Sequence, residues 1–300
     1  MNCSSSEKAI ENRSSFFTYG GLVILMFLLA FAIERNLLVI TPHIPDNYYP
    51  VAKPQAMERA SVIPKTKVNI QPLVTKFPPL PDFSVYEQID QRKAAFIDYM
   101  TPIVEYHNQK ILGDRNHLEQ IAKLIVNRET LSNADKKWLE QLAEKYDVEW
   151  QEEDPGAVVI KLARRVDIIP LSLALVQAAK ESSWGRSRYA VQANNLFGQW
   201  CYDQGCGVVP GERAPDAGHE VKRFKSVSDA TRSYIHNLNT HMQYEHLRRI
   251  RQNLRIYNQA LTGNTLADGL LYYSERRQSY VEEVKSMIQQ YRNFQERRAG

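Results

Sequence analysis

Glu181 stands at the end of an otherwise apolar helical run, a placement that can turn an ordinary carboxylate into an acid. The run extends from Pro170 through Leu171, Leu173, Ala174, Leu175, Val176, Ala178 and Ala179. Proline suits the first turn of a helix, and apolar residues on nearly every side mark a helix buried all round. Trp184-Gly185 supplies the stop, since glycine readily takes the left-handed conformation at a helix end. A carboxylate here is poorly solvated and close to the negative end of the helix dipole. Burial moves a carboxyl by several pKa units, whereas a helix end is worth roughly 0.3–1 kcal/mol. Burial therefore dominates, and the expected product is a carboxylic acid still protonated near neutral pH. Such a group can donate a proton to a leaving oxygen, for example that of a glycosidic bond. The alternative is a surface glutamate in the last turn of a core helix, because perturbed carboxyls also occur in structural settings.

The elements that must position this acid are mostly helical. Ile89, Phe96, Ile97, Met100, Ile103, Val104 and Ile111 recur at helical spacing, with a local adjustment expected at Pro102. Leu118, Ile121, Ala122, Ile125 and Val126 predict a second helix. Ser132 with Asp135 starts a third, carrying Trp138, Leu139, Leu142 and Tyr146, and apolar periodicity resumes from Ala157 to Val166. Between Cys206 and Ser226 the helical pattern lapses. Gly207-Val208-Val209-Pro210, a turn, and Glu220 to Phe224 predict a short hairpin. Cys201 and Cys206 flank Gly205, which permits a tight turn. In an oxidising compartment the two would bridge and staple the loop after Phe197, with free thiols the alternative. A metal site is the sharper option, but it has one cysteine pair, no second pair, and only His219 and His236 to draw on. No metal or cofactor is expected.

The N-terminal part reads differently. Residues 16–33 carry no charge and are about long enough to span a bilayer at the short end of the range. A signal anchor is expected there, behind a tail at 1–15 whose Lys8 and Arg13 lean it towards the cytoplasm. Ala30-Phe31-Ala32 also suits a signal-peptidase site, so a cleaved leader and a soluble exported form compete, and a buried soluble helix is a third reading. Residues 34–84 hold most of the prolines and read as a semi-rigid or disordered spacer. The remaining 85–300 form the folded domain. A formal net charge of +4 is mild. It gives no case for nucleic-acid binding, which shows a concentrated basic face, and it is compatible with an anionic polymer.

The run Gln177 to Ser187, containing Glu181-Ser182-Ser183-Trp184-Gly185, followed by Asn194-Asn195-Leu196-Phe197-Gly198, resembles the N-acetylglucosaminidase domain of glycoside hydrolase family 73. Arg223-Phe224-Lys225-Ser226, Tyr273-Ser274-Glu275 and Ser279 to Val284 extend the resemblance over about 160–290. The Trp200-Cys201-Tyr202 insertion and the long helical N-terminal region look most like the Bax-like branch of bacterial proteins. The resemblance implies an α+β, predominantly helical fold, a lysozyme-like helical body with a small β-hairpin lobe. It implies an endo-β-N-acetylglucosaminidase that cleaves β-1,4 bonds of GlcNAc-containing peptidoglycan strands with Glu181 as general acid. A lytic transglycosylase or muramidase on the same scaffold is the nearest alternative, and a non-catalytic peptidoglycan-binding scaffold the more distant one. The expected partners are glycan strands and, through the N-terminal helix, the bacterial inner membrane, with the domain in the periplasm; the sequence does not give a protein partner.

A second carboxylate normally accompanies such an acid, and the family places one on the β lobe. Glu220, Glu212, Asp203 and Asp216 lie in that segment. Glu220 is chosen because it sits in a strand-like run; a solvated strand residue is the alternative, and the substrate's own N-acetyl group can replace a second carboxylate altogether. Trp184, Phe197, Trp200, Tyr202 and Tyr244 are candidates to stack on sugar faces, with Asn195 beside them. Trp184 and Phe197 equally suit the core, and the asparagine pair suits a turn. Tyr244 falls near a functional tyrosine of the family, though the family's preceding Pro-Arg is absent.

Overall fold

Helix α1 (Ile89–Val126) is the longest element and the backing of the fold. Phe96, Ile97, Met100, Ile103, Val104, Ile111, Leu118 and Ile121 form one buried seam along it. In the computed structural model, which describes residues 76–211 and 218–299 of the 300, the two helices expected before Asn127 are therefore one. The apolar spacing of seven from Ile111 to Leu118 keeps the seam in phase, so nothing forces a break. Pro102 is accommodated inside the helix. The carbonyl it leaves without a donor belongs to Asp98, an exposed residue, where water can satisfy it.

Two further helices close the far side. Ser132 caps α2 (Asn133–Lys145) by accepting from the Asp135 N–H, and Asp154 caps α3 (Pro155–Arg165) through the Ala157 N–H. Between α3 and the next helix lies Asp167, almost fully buried. Arg255 donates to both its oxygens at 2.8 and 3.0 Å, and Arg115 sits 3.4 Å away. Burial alone would push this carboxyl up; the Arg255 hydrogen bonds and the Arg251 and Arg115 charges outweigh it and hold it low. Asn108 of α1 clamps the adjoining Ile169 backbone with both ends of its amide, at 2.8 and 3.2 Å. These contacts fix where α4 (Leu171–Ser182) begins.

α4 runs between α1 and the C-terminal α9 (Gln278–Ala299). After α4 come α5 (Arg188–Ala193), a three-stranded sheet, and then α6 (Val227–Thr240), α7 (Glu245–Ile256) and α8 (Gly263–Leu266). The sheet comprises β1 (Trp200–Cys201), β2 (Gly207–Val208) and β3 (Glu220–Lys222), in the order β1-β3-β2, antiparallel throughout. The expected hairpin is β2 with β3. The added strand is β1, where Trp200 faces Val221 and Cys201 faces Glu220. Its two residues are too short a run to show a period of two in the sequence. Glycine is required at 207, where a Cβ would lie 2.0 Å from the Val221 carbonyl oxygen. The architecture is thus α+β and mostly helical, with one small sheet.

Among the described residues no helix is long and apolar enough to cross a membrane. The anchor expected at 16–33, most of the spacer at 34–84, and the acids Glu212 and Asp216 lie outside those residues.

Candidate active site

Glu181 lies in the last turn of α4 and is half-buried, while Leu173 to Ala179 and Ser182 around it are buried. The helix stops one residue later. Ser183, Trp184 and Gly185 then take φ values of 50°, 59° and 79°, three successive left-handed residues. For Ser183 and Trp184 this costs roughly 1–2 kcal/mol each, so other contacts must hold the turn. The Ser182 hydroxyl donates to the Ala178 carbonyl at 2.6 Å and accepts from the Gly185 N–H at 2.8 Å. The Trp184 N–H bonds back to Ala179 and that of Ser187 to Ser182, both at 2.8 Å. A side chain at 185 would also meet the Phe83 ring at 2.5 Å. The turn fixes the end of the helix, and with it the direction of Glu181.

The second wall is the loop from Asn194 to Gln199. Asn195 is buried and uses its whole amide to shape that loop. It donates to the carbonyls of Gln199 and Lys222 at 2.8 and 2.9 Å and accepts from the N–H groups of Phe197 and Gln199. Gly198, at φ +66°, brings bare backbone up to the acid; a Cβ there would stand 3.8 Å from Glu181 Oε2. No described residue donates a hydrogen bond to Oε2.

The other oxygen is held from beneath. Tyr280 of α9 donates to Glu181 Oε1 at 2.8 Å. Gln177, one turn back on α4, donates to the Tyr280 hydroxyl at 3.0 Å, and Tyr234 of α6 donates to the Gln177 carbonyl oxygen at 2.6 Å. All three donors point the same way along the chain, towards the carboxyl. Tyr273 stacks on Tyr280 with centroids 5.4 Å apart and donates to the Phe197 carbonyl at 2.9 Å. Gln177 and the three tyrosines thus tie α4, α6, α9 and the loop into one support.

Electrostatics follow from that packing. Burial raises the Glu181 pKa; the Tyr280 hydrogen bond and the Lys180 and Arg276 charges pull it down without cancelling the rise. The two cations are shared with Glu283, which pairs with Lys180 and accepts from Arg276 at 2.7 Å. The Arg276 and Lys180 bonds hold Glu283 down at about 2, so it stays ionised beside the two cations. Burial and the nearby Glu181 charge push the Tyr280 hydroxyl far up, so it remains a donor. A half-buried acid, raised, with one oxygen held and the other facing glycine backbone, is arranged to deliver a proton.

Comparison with known proteins gives the family. The family described as mannosyl-glycoprotein endo-beta-N-acetylglucosaminidase, the glucosaminidase family, matches residues 156–293. The chain is similar to Protein bax of Escherichia coli (strain K12), at 34% identity over 210 residues, covering 70% of this chain and 73% of that protein. The chain belongs to the glucosaminidase family. No solved structure matches it. The family carries a glycoside hydrolase domain, and its match takes in α3 through most of α9, hence both Glu181 and the tyrosines beneath it.

The other residues singled out from sequence fall in several places. Glu220 is buried in β3, and its two oxygens accept from the N–H groups of Gly205 and Gly207 at 3.0 and 2.8 Å. Cys201 and Cys206 form a disulfide, which closes the same loop. Trp184 sets its ring edge-on to Phe96 at 5.6 Å, on the α1 side. Phe197 is buried and stacks on Tyr234 at 4.0 Å. Tyr244 is buried too, its hydroxyl pushed up to about 12 by burial. Trp200 of β1 and Tyr202 just after it are exposed, Trp200 with one face on His219 at 4.1 Å. Gln177, Tyr234, Tyr273 and Tyr280 are the support residues that sequence reasoning missed, the last two lying in stretches quoted only for the family resemblance. Gln177 carried a usable signal, as the one amide in an apolar helix and four residues before the acid.

Proposed function

We propose that this chain hydrolyses β-1,4 glycosidic bonds of GlcNAc-containing peptidoglycan strands as an endo-β-N-acetylglucosaminidase, with Glu181 as general acid. The observation that carries the proposal is the raised Glu181 carboxyl held by Tyr280 at 2.8 Å against the Gly198 backbone. Family membership supports glycosidic chemistry, and the Glu181 proton supplies what a departing sugar oxygen needs. Glu220 acts through the loop it holds, by keeping the disulfide-closed turn and Tyr202 in place. The oxocarbenium-like charge is then met by the substrate's own N-acetyl group. Trp200 and Tyr202 are the exposed aromatic faces for sugar rings. The anchor at 16–33 holds the domain at the inner membrane, facing the periplasmic wall.

Replacing Glu181 tests the assignment. Glu181→Gln is expected to lower the rate of glycan-strand cleavage by about a hundredfold or more. Its melting temperature should be little changed, since the amide keeps the size of the protonated acid and an acceptor for the Tyr280 hydroxyl. Glu220→Gln keeps an acceptor for the loop and should cost much less. Full activity in Glu181→Gln would overturn the proposal, and equal losses in both variants would overturn the division of roles.

A further inference from the structure

A cavity of about 180 Å³ lies behind the active-site turn, between the start of α1, the middle of α4 and the last turns of α9. At about 30 Å³ per water in the liquid, it has room for a group the size of one amino-acid side chain or a short acyl segment. Its walls are apolar, from Ile97, Val176, Trp184, Met287 and Phe294 among others. Its polar character is one-sided. Lys93 and Arg297 line it, and no Asp or Glu does. Among the described residues neither cation has a carboxylate partner. Instead each rests on an aromatic ring, the Lys93 ammonium 5.6 Å from the Trp184 centroid and the Arg297 guanidinium 5.8 Å from that of Phe294. Asp98 of α1, beside Ile97 in the cavity wall, is taken by Arg298 through two bonds of 2.8 and 3.0 Å.

Two cations that no described carboxylate pairs, beside an apolar hollow, are complementary to one kind of molecule. We infer that this cavity binds a small apolar monocarboxylate, with its hydrocarbon part against Val176, Trp184 and Phe294 and its carboxylate between Lys93 and Arg297. Cation–π contacts at exposed sites are weak, so the cations can leave the rings for a carboxylate. The site is separate from the Glu181 carboxyl but shares Trp184, which belongs to the left-handed turn that ends α4. Occupation therefore changes the surroundings of an indole, and fluorescence can report it.

The test uses the full chain and octanoate, with n-octanol and octylammonium of equal chain length as controls. Octanoate should shift tryptophan emission saturably, and the shift should vanish in Trp184→Phe. Affinity should fall about tenfold or more in Lys93→Glu/Arg297→Glu, two partly exposed positions whose change leaves the core intact. Val176→Trp, which fills the hollow, should abolish binding; if that variant fails to fold, the charge variant still decides. Octylammonium binding as tightly as octanoate, unchanged affinity in the charge variant, or no saturable response in the full chain would each overturn the inference. The last result is what an occupant from the chain's own N-terminal segment would give.

Discussion

At the scale of single residues, the site turns on how Glu181 is held between two opposed influences. Burial raises its pKa, and the hydroxyl of Tyr280 opposes the rise by stabilising the ionised form. The sign of a mutation follows. Tyr280→Phe removes a stabiliser of the carboxylate, so the acid should hold its proton to higher pH. A general acid works only while protonated, so the alkaline limb of kcat against pH should move upward in that variant. A limb that stays put, or moves down, would show that the 2.8 Å bond does not act on the working acid. The half-buried place of Glu181 at the end of α4 was legible in the sequence because a charge at the end of an apolar helix is conspicuous. Its partners were not. Tyr280 lies about a hundred residues downstream, and no local pattern announces that a tyrosine on another helix will reach it.

Elements position these groups by how they end. α4 ends in three left-handed residues, and of the three only Gly185 adopts that conformation without strain. An added methyl at 185 would both strain the backbone and strike Phe83 at 2.5 Å. Gly185→Ala is therefore expected to destabilise the domain by about 1–3 kcal/mol, read as a lower midpoint in urea, with activity falling further because Glu181 loses its direction. An unchanged midpoint would mean that the turn can relax without help. The stop at Trp184-Gly185 could be read from sequence, as could the Ser132 cap and the hairpin of β2 with β3. The continuity of α1 past Ile111 could not, since polar residues from Gly113 to His117 look like a break until the seam on either side is known to be in phase. Strand β1 was equally hidden, because its pairing depends on β3, some twenty residues away in sequence. The aromatic candidates divide on the same ground. Composition cannot tell a ring that packs, such as Phe197 on Tyr234, from one left exposed, such as Tyr202.

Over the whole molecule, α1 serves as the frame, and one of its buried groups makes the frame sensitive to pH. His107 faces Ser228 of α6 at 2.9 Å. Burial, with the Arg232 and Lys110 charges, brings its pKa down to about 4, while the Ser228 bond and Asp229 oppose the fall. Between about 6.5 and about 4 the unfolded chain thus binds a proton that the folded chain refuses. Stability should decline across that window as the pH is lowered, and His107→Gln should flatten the decline; identical slopes would deny the histidine a role. The family, the helical body and the small sheet were within reach of the sequence. The buried support under Glu181 and the hollow beside Trp184 needed the packing. What the molecule does to its substrate is decided by its products. Purified peptidoglycan digested with the full chain and resolved by mass spectrometry should yield muropeptides with GlcNAc at the reducing end. Anhydro-muramic products, muramic reducing ends, or no cleavage at all would contradict the central claim.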